Sequence, residues 1–261
     1  SFGISAYKVY LKLHHHTDSV EHQLVTFLSG YKGVALIESC EGYFDIIVLI
    51  GITSVLSLGK FIAELKKHFA DYINEQSLHR VVRTFQFQKS FLTKQKGEQY
   101  TSHFYPRHEY SIDRADRIIL SALNKNARLP AAQLQKRTGL STKTITQRIR
   151  KMEKKGVIQH YFVSLAYASL NKVLVDLDVS LKDPANATIL IEFFRNYHCC
   201  VQAHQTIGRF DISLELIFDD IMHMRRTIKR FKNLFAEEAL FYELNQVLEH
   251  TFFGFSLPDE H

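Results

Sequence analysis

The segment with the clearest chemistry is the basic stretch at residues 141–156. It contains six lysines and arginines against one acid, Glu153. Ile145, Ile149 and Met152 recur at the spacing of one helical face, so that face should be buried while the basic side chains lie elsewhere. Lysine and arginine neutralise phosphates, and short polar side chains near a helix N-terminus reach base edges. The pattern therefore predicts a helix that inserts into the major groove of DNA.

The side chains predicted to contact DNA all lie on this helix or at its N-terminus. They are Ser141, Thr142, Lys143, Thr146, Gln147, Arg148, Arg150, Lys151 and Lys154. A solvated basic face is the alternative interpretation of the charge run by itself, because exposed helices commonly carry such charges. The segments on either side decide between the two interpretations.

Signals around the basic stretch are typical of a winged helix-turn-helix. Asp113 or Ser111 can cap a first helix, since either side chain accepts hydrogen bonds from unpaired N–H groups. A second helix starts near Pro130 and ends before Gly139, which supplies the short turn. Apolar residues alternate between positions 157 and 165, as in the two strands of a wing. Together these signals favour DNA binding.

The rest of the chain is an internal repeat. Aligning position n with n+166 needs no gap from about residue 7 to residue 90, and Leu11, for example, meets Leu177. Each copy alternates between strand-like and helix-like periodicity in the order β-α-β-β-α-β, the ferredoxin-like arrangement. The predicted fold class is therefore α+β, with a winged helix-turn-helix flanked by two ferredoxin-like βαββαβ domains.

Changes in composition mark four predicted segments. The first ferredoxin-like domain spans residues 1–92, and a polar linker spans 93–110. The DNA-binding domain covers 111–166, and the second ferredoxin-like domain covers 167–257. By the repeat offset, the first residue corresponds to Tyr167, just after the wing. We therefore expect the natural protein to carry another helix-turn-helix upstream.

One face of each predicted sheet lacks a cover, because both helices of a ferredoxin-like unit pack on the other face. The first strands carry opposite charges there, with Lys8 and Lys12 in the first copy and Asp176 and Asp178 in the second. We expect the sheets to pack through these charges, with Lys12 opposite Asp178, within or between chains. Solvated charges at a sheet edge are the alternative. The expected assembly is a homo-oligomer built through these sheets.

The overall composition allows a nucleic-acid partner without requiring one. The 261 residues carry a net charge of +6 and 46% of them are hydrophobic, which suits two or three globular domains. Three cysteines, two of them adjacent, do not make a secreted disulfide framework. No apolar run in the sequence reaches the roughly 18 to 20 residues of a membrane span. We expect a cytoplasmic protein with no membrane partner.

Two groups of histidines and cysteines could suggest a metal site. One is the histidine run at 14–16 together with His22, and the other comprises His198, Cys199, Cys200 and His204. In a strand Cys199 points away from the other three, and the first copy has no cysteines at the matching positions. We therefore predict no metal site and no cofactor, with the cysteines in the core and the histidines at the surface.

Residues 112–120 resemble the first helix of the leucine-responsive regulatory protein / AsnC family. Residues 139–158 resemble its recognition helix and wing, and the second copy, with its Gly-Arg-Phe-Asp turn at 208–211, resembles its regulatory domain. The resemblance covers about residues 111–255. It implies a transcriptional regulator that binds double-stranded DNA as a dimer or larger oligomer and that is tuned, in some members, by an amino acid.

The resemblance also indicates where an amino-acid effector would bind, at the glycine turns near the meeting of regulatory domains. The residues concerned are Gly42, Asp45, Gly208 and Asp211. Hairpin geometry is the alternative explanation for these turns, since glycine supplies the positive φ that tight hairpins need.

The chain departs from the family pattern because a second regulatory copy precedes the DNA-binding domain. Siroheme decarboxylases share the family's architecture and are the enzymatic alternative. In such enzymes the sequence of the DNA-contacting helix has typically degenerated, whereas residues 142–155 are intact and basic. In addition, the regulatory copies show no paired histidine and arginine motif. We therefore predict a regulator that is not an enzyme.

Overall fold

The computed structural model describes residues 4–15, 17–87, 99–103, 110–161 and 167–254. The elements of the first copy are β1 (Ser5–Leu13), α1 (Asp18–Gly30), β2 (Val34–Glu41), β3 (Ile46–Ile52), α2 (Val55–Phe69) and β4 (Ile73–Phe87). Those of the middle segment are β5 (Gln99–His103), α3 (Arg114–Lys125), α4 (Ala131–Thr138) and α5 (Thr142–Lys154). Those of the second copy are β6 (Val173–Leu181), α6 (Ala187–Asn196), β7 (Cys200–Ile207), β8 (Ile212–Phe218), α7 (Ile221–Leu234) and β9 (Ala239–Phe252). The predicted α+β class, with a βαββαβ order in both copies, is confirmed.

The eight strands of the two copies form one closed ring. Their order is β1-β3-β2-β9-β6-β8-β7-β4, and β4 pairs with β1 to complete the circuit. The two copies join where β2 pairs with β9 and where β7 pairs with β4, in both cases antiparallel. Closure therefore pairs the edges that each four-stranded sheet would leave open by itself.

Helices cover the outside of this ring. Alternate residues of each strand point outwards and form one helix-packed core per copy. In the first copy, Val9 and Leu11 of β1 belong to the same buried cluster as Leu24 and Leu28 of α1. Burying a side chain of this size contributes about 1.5–3 kcal/mol, so these cores supply much of the driving force for folding.

The inside of the ring is filled by side chains from both copies. Tyr10, Phe44 and Ile47 of the first copy form one buried cluster with Phe210 and Ile217 of the second. The uncovered face of each predicted sheet is therefore covered by the other copy within the same chain. The predicted homo-oligomer, built through these sheet faces, would have to displace this packing. An oligomer of this chain would therefore need a different surface.

The structural repeat departs from the 166-residue offset in its first strand. β2 and β7, like β3 and β8, begin 166 residues apart. β1 instead matches β6 at an offset of 168, since Ser5 pairs with Ile52 while Val173 pairs with Phe218. The predicted gapless alignment is therefore wrong for this strand. The first copy has the extra two residues between the end of β1 and the end of α1, a segment that includes the histidine run.

The 168-residue offset brings equivalent residues together across the interior. Lys8 Nζ donates to Asp176 Oδ2 at 2.5 Å, and Tyr10 OH donates to Asp178 Oδ1 at 2.6 Å. All four side chains are buried. Burial lowers the pKa of the Lys8 ammonium, but the surrounding carboxylates, with Asp176 foremost, outweigh burial and raise that pKa overall.

The predicted pairing of Lys12 with Asp178 is wrong. Lys12 Nζ lies 3.1 Å from Asp45 Oδ1, a residue of its own copy, and both side chains are partly exposed. The lysine that pairs across the two copies is Lys8, because it points into the ring while Lys12 lies at its rim. Opposite charges do join the two sheets, but through a lysine four residues earlier in the strand than the one predicted.

Two further predictions differ from the structure. The predicted linker contains β5, which pairs antiparallel with the end of β4. Residues 157–161 contain no wing strand, and residues 162–166 of the predicted wing lie outside the described residues. The other segment boundaries stay predictions. In the described part of the chain, no helix is long and apolar enough to cross a bilayer.

Candidate DNA-binding surface

Helices α3, α4 and α5 pack around a small apolar core. Its buried members include Ile119 of α3, Leu134 of α4, and Ile145 and Met152 of α5. Ile149 packs against the same core while partly buried, so the predicted apolar stripe of α5 is confirmed. Because the stripe holds one side of α5 in place, it also fixes which side faces solvent.

Polar side chains set the starts of these helices. Asp113 caps α3, since its Oδ1 accepts from the Asp116 amide at 2.8 Å and the Asp116 side chain completes a capping box. The first of these hydrogen bonds lowers the pKa of the Asp113 carboxyl. Ser141 caps α5 by accepting from the Thr144 amide at 3.1 Å. Of the two predicted caps for the first helix, Asp113 is therefore the one used.

Gly139 makes the turn between α4 and α5. Its φ of +72° lies in the left-handed region, and its amide donates to Gln135 O at 2.9 Å. Glycine adopts this conformation without the strain that a Cβ would cause. The turn leaves Thr142 and Lys143, the first residues of α5, exposed just beyond it.

A row of long polar side chains runs along the exposed side of α5. Lys143, Gln147, Arg150 and Lys154 are all exposed and recur at helical spacing, and we call these four residues the α5 face. They offer hydrogen-bond donors for both phosphates and base edges on a single rigid element.

Three other residues predicted to contact DNA also have partners within the domain. Thr146 Oγ1 donates to Thr142 O at 2.9 Å, and Ser141 caps α5. Lys151 Nζ lies 5.4 Å from the centre of the Tyr110 ring, a cation–π contact, and its side chain is exposed. DNA contacts by these residues stay predictions, as do those by the α5 face.

Arg148 has a structural role in addition to the predicted contact with DNA. Its Nη1 donates to Asp113 Oδ2 at 2.7 Å and to Asp116 Oδ1 at 2.9 Å. The Asp116 side chain is only 2% exposed, so the guanidinium neutralises a carboxylate that has left water. Arg148 therefore fastens α5 to the start of α3, and a DNA contact by Arg148 stays a prediction.

We expect Arg148→Ala to lower the free energy of unfolding by about 1–3 kcal/mol, because Asp116 would stay buried without its cation. Differential scanning calorimetry of the full chain measures this loss. Arg150→Ala is the matched control, since Arg150 is exposed on the same helix and its removal should cost less than about 0.5 kcal/mol. An unchanged melting profile for Arg148→Ala, accompanied by weakened DNA binding, would refute the structural role and leave DNA contact as the role of Arg148.

The glycines predicted to bind an effector are sites of close approach between the copies. A Cβ atom at Gly42 would lie 2.7 Å from Leu244 O in β9, and one at Gly208 would lie 2.8 Å from His79 Nδ1 in β4. The two contacts are equivalent, since each turn packs against the last strand of the other copy. Glycine is required at both positions because no side chain fits between the two backbones.

The aspartates of the same turns tie down the first strands. Asp45 Oδ2 accepts from the Leu13 amide at 2.6 Å, and Asp211 Oδ2 accepts from the Leu181 amide at 2.7 Å. Turn geometry, the alternative explanation for these motifs, therefore accounts for all four residues predicted to bind an effector. Effector binding by them stays a prediction.

The three cysteines and His204 lie inside the protein. Cys40, Cys199 and Cys200 are buried, as predicted, and burial raises the pKa of each thiol, so none is poised as a nucleophile. His204, predicted at the surface, is instead buried, with Nδ1 2.8 Å from Thr84 Oγ1. Burial lowers its pKa to about 3, so the ring is neutral at physiological pH.

A family model described as winged helix-turn-helix DNA-binding matches residues 112–159. The matched region contains α3, α4 and α5 together with the cap Asp113 and the turn Gly139. The middle of the chain is thus a DNA-binding domain of the winged helix-turn-helix class.

Related proteins match a longer part of the chain than this domain. The chain is 29% identical over 125 residues to an uncharacterised HTH-type transcriptional regulator of Pyrococcus furiosus, covering 47% of this chain and 81% of that protein. It is 30% identical over 125 residues to the leucine-responsive regulatory protein of Salmonella typhimurium, covering 45% of this chain and 73% of that protein. The chain belongs to the leucine-responsive regulatory protein / AsnC family of helix-turn-helix transcriptional regulators.

One solved structure is similar along almost the full length of the chain. It is the siroheme decarboxylase NirDL in complex with an iron-uroporphyrin III analogue. The superposition has a TM-score of 0.68 and includes 98% of this chain and 75% of the decarboxylase chain. Sequence identity is 10%, so the likeness concerns the fold alone. The fold of two ferredoxin-like copies around a middle domain is therefore also found outside this chain.

Proposed function

We propose that the chain regulates transcription by inserting α5 into the major groove of double-stranded DNA at a specific sequence. The observation that carries this proposal is the α5 face, a row of four long polar side chains exposed on a helix whose other side is fixed in the core. The major groove is about 12 Å wide, which admits one α-helix.

Members of the α5 face suit different parts of the duplex. Lys143 lies at the N-terminal end of α5, from which recognition helices contact bases. Gln147 presents an amide that can pair with adenine through two hydrogen bonds. Arg150 and Lys154 lie further along, where they suit phosphates, and each phosphate contact adds to the salt dependence of binding.

The test is binding of the full chain to its own promoter DNA, followed by fluorescence anisotropy at several salt concentrations. We expect the combined variant Lys143→Ala, Gln147→Ala and Arg150→Ala to weaken specific binding by about a hundredfold or more, since each good base contact contributes about 1–3 kcal/mol. The slope of log K against log salt should also shrink by about 1 for each phosphate that the variant no longer neutralises.

The matched control removes two exposed lysines from α2, outside the DNA-binding domain, as Lys66→Ala with Lys67→Ala. This variant should bind DNA like the parent chain, and circular dichroism should show that both variants are folded. Wild-type affinity in the triple variant would refute the assignment of the α5 face.

Absence of enzymatic activity is part of the proposal. The alternative, tetrapyrrole decarboxylation, is supported by a likeness of fold at 10% identity, whereas the α5 face supports DNA binding. The purified regulator should remain colourless after incubation with a siroheme-type tetrapyrrole and removal of the unbound pigment, and it should bind duplex DNA in a salt-dependent manner. A Soret band without duplex binding would favour the enzyme.

Family membership supports three further proposals, namely a cytoplasmic location, a homo-oligomeric state and tuning by an amino acid. Because the inner sheet faces are filled within one chain, the oligomer would use other surfaces. Light scattering of the full chain, with and without a panel of amino acids, tests both the oligomeric state and its response to an effector.

A further inference from the structure

Three potential metal ligands converge inside the ring of strands. Glu38 lies on β2 of the first copy, while Glu215 and His250 lie on β8 and β9 of the second. Their ligand atoms all lie within 4.8 Å of one another, and His250 Nε2 is 3.8 Å from Glu38 Oε1. The Glu38 side chain is 2% exposed and that of His250 is 11% exposed, so the group is sheltered from solvent.

One atom of this group lacks any hydrogen-bond partner. Glu38 Oε1 is fully buried and accepts no hydrogen bond. A buried carboxylate oxygen without a partner carries the full cost of leaving water, so native proteins nearly always pair it with a donor or a cation. This oxygen of Glu38 lies close to the ligand atoms of Glu215 and His250. It therefore offers an electron pair at the point where the three side chains meet.

Acidic side chains also outnumber basic ones inside the ring. Four carboxyl groups are buried there, on Glu38, Asp176, Asp178 and Glu215. Among the described residues, the buried ammonium that offsets them is that of Lys8, already bonded to Asp176. His79 and His204 add no positive charge at neutral pH, because burial, helped by Lys8, lowers their pKa to about 4 and about 3. A cation near Glu38 and Glu215 would lower the cost of burying these acidic side chains.

We propose that Glu38, Glu215 and His250 bind one divalent transition-metal ion of the Zn²⁺ class. Two carboxylate oxygens and one imidazole nitrogen form a donor set that Zn²⁺ accepts at about 2.0–2.2 Å, with a fourth position left for water. The nitrogen ligand and the small number of protein donors favour such an ion over Ca²⁺, which takes six to eight oxygens. Ligand atoms about 3.4 Å apart suit a tetrahedral ion at these bond lengths, so a small rotation of the side chains completes the site.

The bound ion would join the two copies. Glu38 belongs to the first copy, and it pairs with His250 of the second across the β2–β9 seam of the ring. A metal ion at this position adds a link at the seam itself, so its binding should stabilise the closed ring against opening.

The test uses the full chain stripped of metal with a chelator and then titrated with Zn²⁺ against a chromophoric competitor. We expect one tight site per chain and an upward shift of the melting temperature on binding. Glu38→Gln and His250→Gln should each weaken that site by about tenfold or more, since loss of an outer-shell partner alone costs about 10–100-fold. His14→Ala with His15→Ala is the control for adventitious binding by neighbouring histidines and should leave the tight site intact.

Glu38→Gln also has an expected effect in the absence of metal. The amide keeps the shape of the side chain and cannot carry a negative charge, so this variant should melt no lower than the metal-free parent while losing its response to Zn²⁺. If Glu38→Gln does not fold, His250→Gln decides the question with the same titration. Absence of a tight site in the parent chain, or equal affinity in the parent and His250→Gln, would overturn the proposal.

Discussion

Lys8→Met is expected to lower the free energy of unfolding by about 3–5 kcal/mol, the usual cost of removing one member of a buried ion pair. Lys8 Nζ is bonded to Asp176 Oδ2 and Ser213 Oγ inside the ring, where its side chain is 3% exposed. Without the ammonium, Asp176 would be a buried carboxylate among further carboxylates. Chemical denaturation of the full chain, followed by circular dichroism, measures the loss.

The position of Lys12 provides the matched control for this prediction. Its pair with Asp45 is partly exposed, so Lys12→Met should cost no more than about 1 kcal/mol. Adding Asp176→Leu to Lys8→Met should recover most of the loss, because an apolar pair can replace a buried ion pair at little cost. Equal effects of Lys8→Met and Lys12→Met would show that the interior pair does not hold the copies together.

Gly42→Ala is expected to lower the free energy of unfolding by about 3 kcal/mol or more, at the upper end of the cost of overpacking. The added Cβ would lie 2.7 Å from both Leu244 O and Asn245 Oδ1, and the first of these is backbone that cannot rotate away. Phe44 N also donates to Asn245 Oδ1 at 3.0 Å, so moving β9 breaks a hydrogen bond between the copies. The same denaturation experiment gives the magnitude.

Gly59→Ala separates the clash from the general effect of replacing glycine. Gly59 lies within α2, with open space around the position of its Cβ, so alanine should stabilise the chain by up to about 1 kcal/mol. Gly208→Ala should resemble Gly42→Ala, since its Cβ would lie 2.8 Å from His79 Nδ1 and 3.0 Å from Leu78 O. If Gly42→Ala proved neutral, the close approach of the turn to β9 would be refuted.

The sequence contained enough information to predict the local elements and the DNA-binding helices. Periodicity identifies a helix or strand within a few residues, and capping side chains such as Asp113 and Ser141 act on their own helix. The apolar stripe of α5 was predictable for the same reason. Repetition added a second, independent indication of each ferredoxin-like element, which is why the βαββαβ order was correct in both copies.

The shifted offset of β1 could not be detected by comparing the copies. Strand side chains alternate with a period of two, so sliding one strand by two residues leaves every apolar position opposite another apolar position. Leu11 therefore meets Leu177 in the gapless alignment although its structural equivalent is Val179. Hydrogen-bond partners, which only the folded chain supplies, reveal the shift.

Arg148 and the Glu38 group were missed for a different reason, namely distance along the chain. Arg148 lies 35 residues from Asp113, and nothing local distinguishes it from the lysines and arginines that face solvent beside it. Glu38, Glu215 and His250 are brought together only by closure of the ring, which depends on pairing between the copies. β5 was missed for the same reason, because it forms only by pairing with the end of β4 and its own residues carry no clear strand pattern.

The pair formed by Lys8 and Asp176 also determines which copies can associate. The two residues occupy equivalent positions in the repeat, so each copy presents at the centre of the interface the charge that the other copy lacks. Two first copies would place lysine against lysine, and two second copies would place aspartate against aspartate, each at the cost of an unpaired buried charge. Each copy therefore pairs with the other copy of the chain rather than with a second copy of itself. Two identical subunits could not form this interface.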